Sequence, residues 1–272
     1  MEISPALSDP LDLVGRAELL DELDLLLAGY GSPPDDLRRR AEALRARAEV
    51  IDAALADDLR ARILAGSLGP AALRAELRRY ASDPAEGGRD ADDQYDSLDL
   101  LIGRALGIAA PAGEIADLPA GMVAYQPTPA RWLLDLPERA GITAQDTFVD
   151  IGAGLGQVAI LVSLLSGARA VGVEIQPAYV AVARRSADLL GLGRVRFRAE
   201  DALSADLGAG TVFYLYTPFV GGWLVQMLAR LRREAQFSPI RVCAYGPCVP
   251  AVLAETWLRQ RARCGPIYVL TS

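Results

Sequence analysis

Histidine, lysine and asparagine are absent from all 272 residues. With no imidazole and no side-chain amine, the chain cannot run Ser-His-Asp hydrolysis or form a Schiff base with a carbonyl substrate. Cysteine is scarce, occurring only as Cys243, Cys248 and Cys264. The first two are spaced C-x4-C, and with no histidine to join them a zinc site is not expected. An odd count of cysteines, with no basic-then-apolar leader ahead of them, points to reduced structural thiols in a cytoplasm. Positive charge is outweighed, with 28 Lys+Arg against 35 Asp+Glu and a net charge of −7. Such a chain is not expected to bind nucleic acid or an anionic membrane. No apolar run is long enough to span a bilayer. The Arg-rich, Ala-rich, lysine-free composition suggests a bacterial genome of high GC content.

What is present is enough apolar material for a real core, since 51% of residues are hydrophobic. That suits one large domain or two smaller ones. The first ~110 residues read as helices. Leu13, Ala17, Leu20 and Leu27 share one face of a first helix, which the Gly29–Pro34 turn stops. A long second helix carries Leu37, Ala41, Leu44, Ala48, Ile51 and Leu55 in a heptad-like seam. The expectation is an antiparallel helical hairpin, with its arginines on a solvated face. Residues 82–96 are polar and acidic and read as a mobile loop or lid. The division expected is 1–110, a helical cap or oligomerisation region, and 111–272, a ligand-binding core. The cap would cover the carboxyl edge of the core's sheet or mediate a homodimer through its seam.

From Thr147 the pattern changes to alternating strands and helices. Strands are expected at 147–151, 170–174, 195–199, 211–216 and 240–245, with helices at 157–165, 178–190, 220–233 and 249–255. Two final extended runs, 256–261 and 266–271, are joined too closely for a helical crossover and should form an antiparallel hairpin. The fold class expected is α/β: a doubly wound, mostly parallel sheet with a C-terminal antiparallel hairpin, preceded by an all-helical N-terminal cap.

The strand-to-helix turn Asp150-Ile-Gly-Ala-Gly-Leu-Gly156 carries the most information. Its glycines Gly152, Gly154 and Gly156 let a ligand approach the backbone. A dinucleotide would put its pyrophosphate here, beside the Asp150 carboxylate, and its third glycine would fall at 157, which is Gln157. A ligand with an ammonium or sulfonium centre suits that charge better. The turn therefore points to S-adenosylmethionine (SAM) before NAD. Glu174 ends the second strand, where a carboxylate can accept both ribose hydroxyls of an adenosine. Asp201 follows the third strand, where it can accept from an adenine amine while the Ala202 amide donates to the ring.

These three sites together resemble the class I SAM-dependent methyltransferases, over about Met122 to Ser272. The resemblance implies that the glycine loop faces the methionine part, Asp150 its ammonium, Glu174 the ribose and Asp201 the adenine. The run Gly154-Leu-Gly-Gln-Val158 also looks like the loop of Dot1-type lysine methyltransferases, a local likeness that does not fix a lysine substrate. After the fourth strand, Tyr216-Thr217-Pro218-Phe219 partly matches the Asp/Asn-Pro-Pro-aromatic run of amino-directed members. Tyr216 stands where that run has its Asp or Asn. Thr217 and Pro218 would touch the cofactor, and Tyr125 and Thr128, ahead of the first strand, would close over its methionine end. Tyr125, Tyr216 and Thr217 are the candidates for catalysis. The function expected is methyl transfer from SAM to an unidentified protein side chain or small molecule. The alternatives are a non-catalytic SAM-binding module and an NAD-dependent oxidoreductase.

Overall fold

The computed structural model describes residues 5–30, 32–81, 95–113 and 115–272. Of the expected lid, residues 82–94 lie outside that range. Four N-terminal helices, α1 (Leu13–Ala28), α2 (Asp35–Leu64), α3 (Pro70–Arg78) and α4 (Ser97–Ala105), precede two short ones, α5 (Ala130–Leu133) and α6 (Leu136–Arg139). The alternating part follows as β1 (Thr147–Ile151), α7 (Gln157–Ser166), β2 (Arg169–Glu174), α8 (Pro177–Leu189), β3 (Val195–Ala199), β4 (Val212–Tyr216), α9 (Gly222–Glu234), β5 (Arg241–Tyr245), α10 (Val249–Leu253), β6 (Arg259–Cys264) and β7 (Ile267–Thr271).

The strands form one sheet in the order β3-β2-β1-β4-β5-β7-β6. β1 to β5 pair in parallel, and β7 enters antiparallel between β5 and β6. The order reverses between β1 and β4, which opens a crevice at their carboxyl ends. Alternation along the strands explains the two-sided core. Phe148, Tyr214, Cys243 and Val269 face one apolar cluster, which includes α7, α8 and the N-terminal helices. Val149, Phe213, Val242 and Leu270 face the other, under α9 and α10.

The N-terminal helices do not sit on the carboxyl edge of the sheet. α3, α5 and α6 pack on α7, and α4 joins α2 to α5. The reason is the composition of α7, which is apolar on every face and buried from Gln157 to Ser163. A helix of that kind needs a second layer above it. α1 and α2 do pair antiparallel, since Arg45 bonds Asp24 while Arg16, nearer the start, bonds Asp52, further on. The buried face of α1 matches the expected one only at Leu13. Leu13, Arg16 and Leu23 are buried, whereas Ala17, Leu20 and Leu27 are only half-buried. Arg16 turns inward because every end of its fork is used: Asp52 at 2.6 Å and the carbonyls of Asp9 at 2.7 Å and Pro10 at 2.9 Å. In α2 the seam holds at Ala41, Ala48 and Leu55, with Leu37, Leu44 and Ile51 partly covered.

β6 begins at Arg259, three residues later than expected. The preceding residues are held in a turn, Leu258 N–H donating to the Glu255 carbonyl and the Trp257 indole to the Glu255 carboxylate. The strand is an exposed edge, arginine-rich and irregular between Gln260 and Ala262. Those features keep an edge from pairing with a second chain.

Candidate active site

The crevice at the sheet's reversal point holds a cavity of about 460 Å³. Its floor comes from the ends of β1, β2 and β4, and its other wall from residues 115–128, a strap ahead of α5. The strap is tied down along its length. The Gln176 side chain takes both backbone groups of Ala116, donating to the carbonyl at 2.7 Å and accepting from the N–H at 3.1 Å. Val123 N–H donates to the Pro218 carbonyl, Val220 N–H to the Gly121 carbonyl, and Met122 bridges Phe219. At the far end, the Thr128 and Tyr214 hydroxyls bond at 2.8 Å, and Gln157 donates to the Thr128 carbonyl at 2.9 Å. Tyr95 donates to the Pro127 carbonyl at 2.8 Å, linking the strap to the N-terminal helices.

The glycine loop is sewn to the end of β2. Gly152 and Ala153 both donate to the Val173 carbonyl, and Gly154 N–H donates to a Glu174 oxygen at 2.9 Å. Glu174's second oxygen accepts Gln176 N–H at 2.9 Å. Gly154 has φ +51, and a Cβ there would stand 2.2 Å from the Tyr125 ring. Only glycine fits under that ring. Gly152 lines the cavity against Pro218. Gly154 and Gly156 do not line it; Gly156 instead lets α7 start against Phe197 and Ala183.

Asp150 is the electrostatic centre. It lines the cavity, is buried, and one of its oxygens has no hydrogen-bond partner among the described residues. Burial pushes its pKa up to about 7, the Glu174 charge adds to that, and the Ala159 amide in the first turn of α7 opposes it. An unpaired buried carboxylate is costly unless a donor or cation meets it. A dinucleotide's pyrophosphate would add to that cost, which counts against the NAD alternative.

The other expected residues divide by role. Asp201 and Ala202 line the cavity, with Asp201 shaping its own turn through Leu203 N–H at 2.9 Å. Arg230, which the sequence gave no reason to single out, clamps that turn by donating to the carbonyls of Ala202, Leu203 and Ala205. Thr128 lines the cavity with its hydroxyl already shared with Tyr214. Pro218 and Tyr216 line it too, and Tyr216 stacks on Tyr245 with ring centroids 4.1 Å apart. Thr217 has φ +40, and its hydroxyl donates to the Tyr245 carbonyl and accepts Cys248 N–H, both at 3.0 Å. That hydroxyl joins β4 and β5. Tyr125 lies against Tyr179. Burial first, then the charges of Tyr95 and Asp150, push its pKa well up, as burial does for Tyr214. Both phenols hold their protons more tightly than a free tyrosine.

A family model described as a methyltransferase domain matches residues 142–211, the segment from the approach to β1 to the approach to β4. Over this segment the chain is similar to methyltransferase domains. Curated proteins return no match to the chain. Among solved structures, an RNA methyltransferase from Salinibacter ruber in complex with S-adenosyl-L-homocysteine is 26% identical, covering 54% of this chain and 92% of its own, with a TM-score of 0.41. A ribosomal protein L11 methylase from Lactobacillus delbrueckii subsp. bulgaricus is 18% identical over 52% of this chain and 75% of its own, with a TM-score of 0.41. The cavity suits a ligand that carries an ammonium, because Asp150 lines it and keeps one buried oxygen without a hydrogen-bond partner among the described residues. No helix among the described residues is long and apolar enough to cross a membrane.

Proposed function

We propose that the carboxylate-lined half of this cavity binds SAM and that the methyl group passes to a small-molecule acceptor in the half lined by the strap and the end of β4. The observation that carries the reading is the unpartnered, buried oxygen of Asp150. When bound, SAM supplies an electrophilic methyl on a sulfonium, so the protein's work is binding and alignment.

Asp150 receives the ammonium. Glu174 keeps lone pairs beyond those used by Gly154 and Gln176 and takes the ribose hydroxyls. Asp201 and the Ala202 amide read the adenine. Gly152 and Pro218 set the floor, and Tyr125 and Thr128 hold the strap against it. Thr217 presents its backbone in a fixed turn, and Tyr216 forms an aromatic wall. Holding two reactants in line contributes about 7–11 kcal/mol to such a transfer. Among the described residues that line the acceptor side, none carries a carboxylate.

Calorimetry tests this directly. The wild type should bind SAM and S-adenosylhomocysteine (SAH), and Asp150→Asn should lose most of its affinity for both. Equal binding by wild type and Asp150→Asn would overturn the assignment. Incubation with methyl-labelled SAM and fractionated cell extract should move label into the small-molecule fraction. Label found only in protein would overturn the acceptor class.

A further inference from the structure

The cavity is divided by charge. All five carboxylates that line it, Asp117, Asp150, Glu174, Glu200 and Asp201, stand on the strap's first residues or at the ends of β1, β2 and β3. The remaining wall, from Met122 to Thr128 and from Tyr214 to Val220, has no charged side chain. No arginine among the described residues lines any part of it. Of its polar groups, the Thr128 hydroxyl is committed to Tyr214 and the Thr217 hydroxyl to Tyr245 and Cys248, while the Gln126 amide and the Tyr125 phenol also line it. Its apolar and aromatic surface includes Met122, Val123, Tyr216, Pro218, Phe219 and Val220. Val123 and Val220 are exposed at 42% and 44%, so the apolar surface runs out to solvent.

We propose that this wall is the acceptor subsite and that it selects an uncharged aromatic molecule whose nucleophile is an aromatic amine. The proposal rests on SAM occupying the carboxylate half. A phosphate or carboxylate entering here would lose its water without meeting a cation, and an alkylammonium would meet no carboxylate. Tyr216, stacked on Tyr245, and Phe219 offer an aromatic ring contacts of its own kind instead. The nucleophile follows from the same inventory. With no carboxylate among the described residues of this half, an alkylamine would arrive protonated and stay so. An aromatic amine is unprotonated at neutral pH and brings its own lone pair. Its nitrogen forms the bond to the methyl carbon as the carbon–sulfur bond breaks with its pair to sulfur. The surplus N–H proton leaves to water at the open rim. The Dot1-like stretch of the glycine loop therefore does not extend to a lysine acceptor.

The test uses one ring with three charges: 1-naphthylamine, 1-naphthyl phosphate and 1-naphthylmethylamine, titrated by fluorescence into the full chain saturated with SAH. SAH binding is first measured alone by calorimetry. Naphthylamine should bind tighter than either charged analogue by about tenfold or more. Val220→Asp, at an exposed position, should weaken naphthylamine by about fivefold or more while SAH affinity holds. Equal or tighter binding of the phosphate or the alkylamine overturns the proposal, as does no binding of any of the three to the SAH-loaded protein. If SAH itself fails to bind, the placement of SAM falls first and the acceptor assignment with it.

Discussion

Glu174 accepts the backbone N–H of Gly154 at 2.9 Å, which makes the strand-end carboxylate and the glycine loop a single unit. The same carboxylate holds Gln176 N–H, and the Gln176 side chain holds the strap at Ala116. One residue therefore touches the floor and, through its neighbour, the wall.

Glu174→Ala should hurt both binding and folding. Loss of charged hydrogen bonds is worth about 1.5–3 kcal/mol, or about 10–100-fold in SAM affinity. The two abandoned backbone amides should lower stability by about 1–3 kcal/mol. Glu174→Gln keeps an acceptor for one amide and should fall between. Calorimetry with SAM and urea denaturation of the apo protein read the two effects separately. A Glu174→Ala protein that binds SAM like the wild type would remove this residue from the site.

Asp150 should trade stability for binding. Its folded pKa, about 7, lies above the ordinary 3.8 because of burial first and Glu174 second. The folded chain thus holds this proton more tightly than the unfolded one. Its contribution favours the fold at low pH and is lost as pH rises from 3.8 to about 7. At pH 8 the ionised carboxylate, with one oxygen lacking a partner among the described residues, is a burden, so Asp150→Asn should stabilise the apo protein there by up to about 4 kcal/mol. SAM's ammonium needs the ionised form. Binding below pH 7 should therefore release a proton, seen as a buffer-dependent heat, and weaken as pH falls. A binding heat independent of buffer at pH 6 would contradict the pairing.

The parts of this site that sequence makes legible are those set by neighbours in the chain. The turn after β1, the carboxylates at the ends of β2 and β3, and the Pro218 stop after β4 all follow from strand alternation and turn chemistry. What sequence hides depends on distant partners. Arg16 looks like one more solvated arginine until Asp52 and the carbonyls of residues 9 and 10 surround it. Gln176 and Arg230 grip backbone groups far away in the chain, and backbone groups carry no residue signal. The placement of the N-terminal helices did leave a trace, because α7 is too apolar to face solvent. The three thiols also read correctly as structural: all are free and buried, and burial pushes Cys243 and Cys264 up to about 12.

The Arg16–Asp52 pair should matter to the fold and not to the cofactor. Arg16 is fully buried, and removing one partner strands the other's charge in the interior. Asp52→Ala should cost about 3–5 kcal/mol. The double variant Arg16→Met, Asp52→Leu should cost less than the sum of its single changes, because no charge is left alone. Denaturant midpoints give these values, and SAM titration should show no change in any variant that folds. A loss of SAM affinity without a loss of stability would place the pair in the site's machinery.

Thr217 separates two opposing effects at one position. Its φ of +40 is unfavourable for a β-branched residue, and its hydroxyl ties the Tyr245 carbonyl to Cys248 N–H. Thr217→Ala removes the tie and keeps most of the strain, so it should destabilise by about 1–3 kcal/mol. Thr217→Gly removes both, and should recover about 1 kcal/mol of that loss. Thr217→Ser restores the hydroxyl and should be near the wild type in both stability and turnover. A hydroxyl used only for structure predicts that the Ala variant keeps the wild-type pH profile of kcat while its melting temperature falls. A changed profile with unchanged melting would instead make this hydroxyl a participant in the transfer.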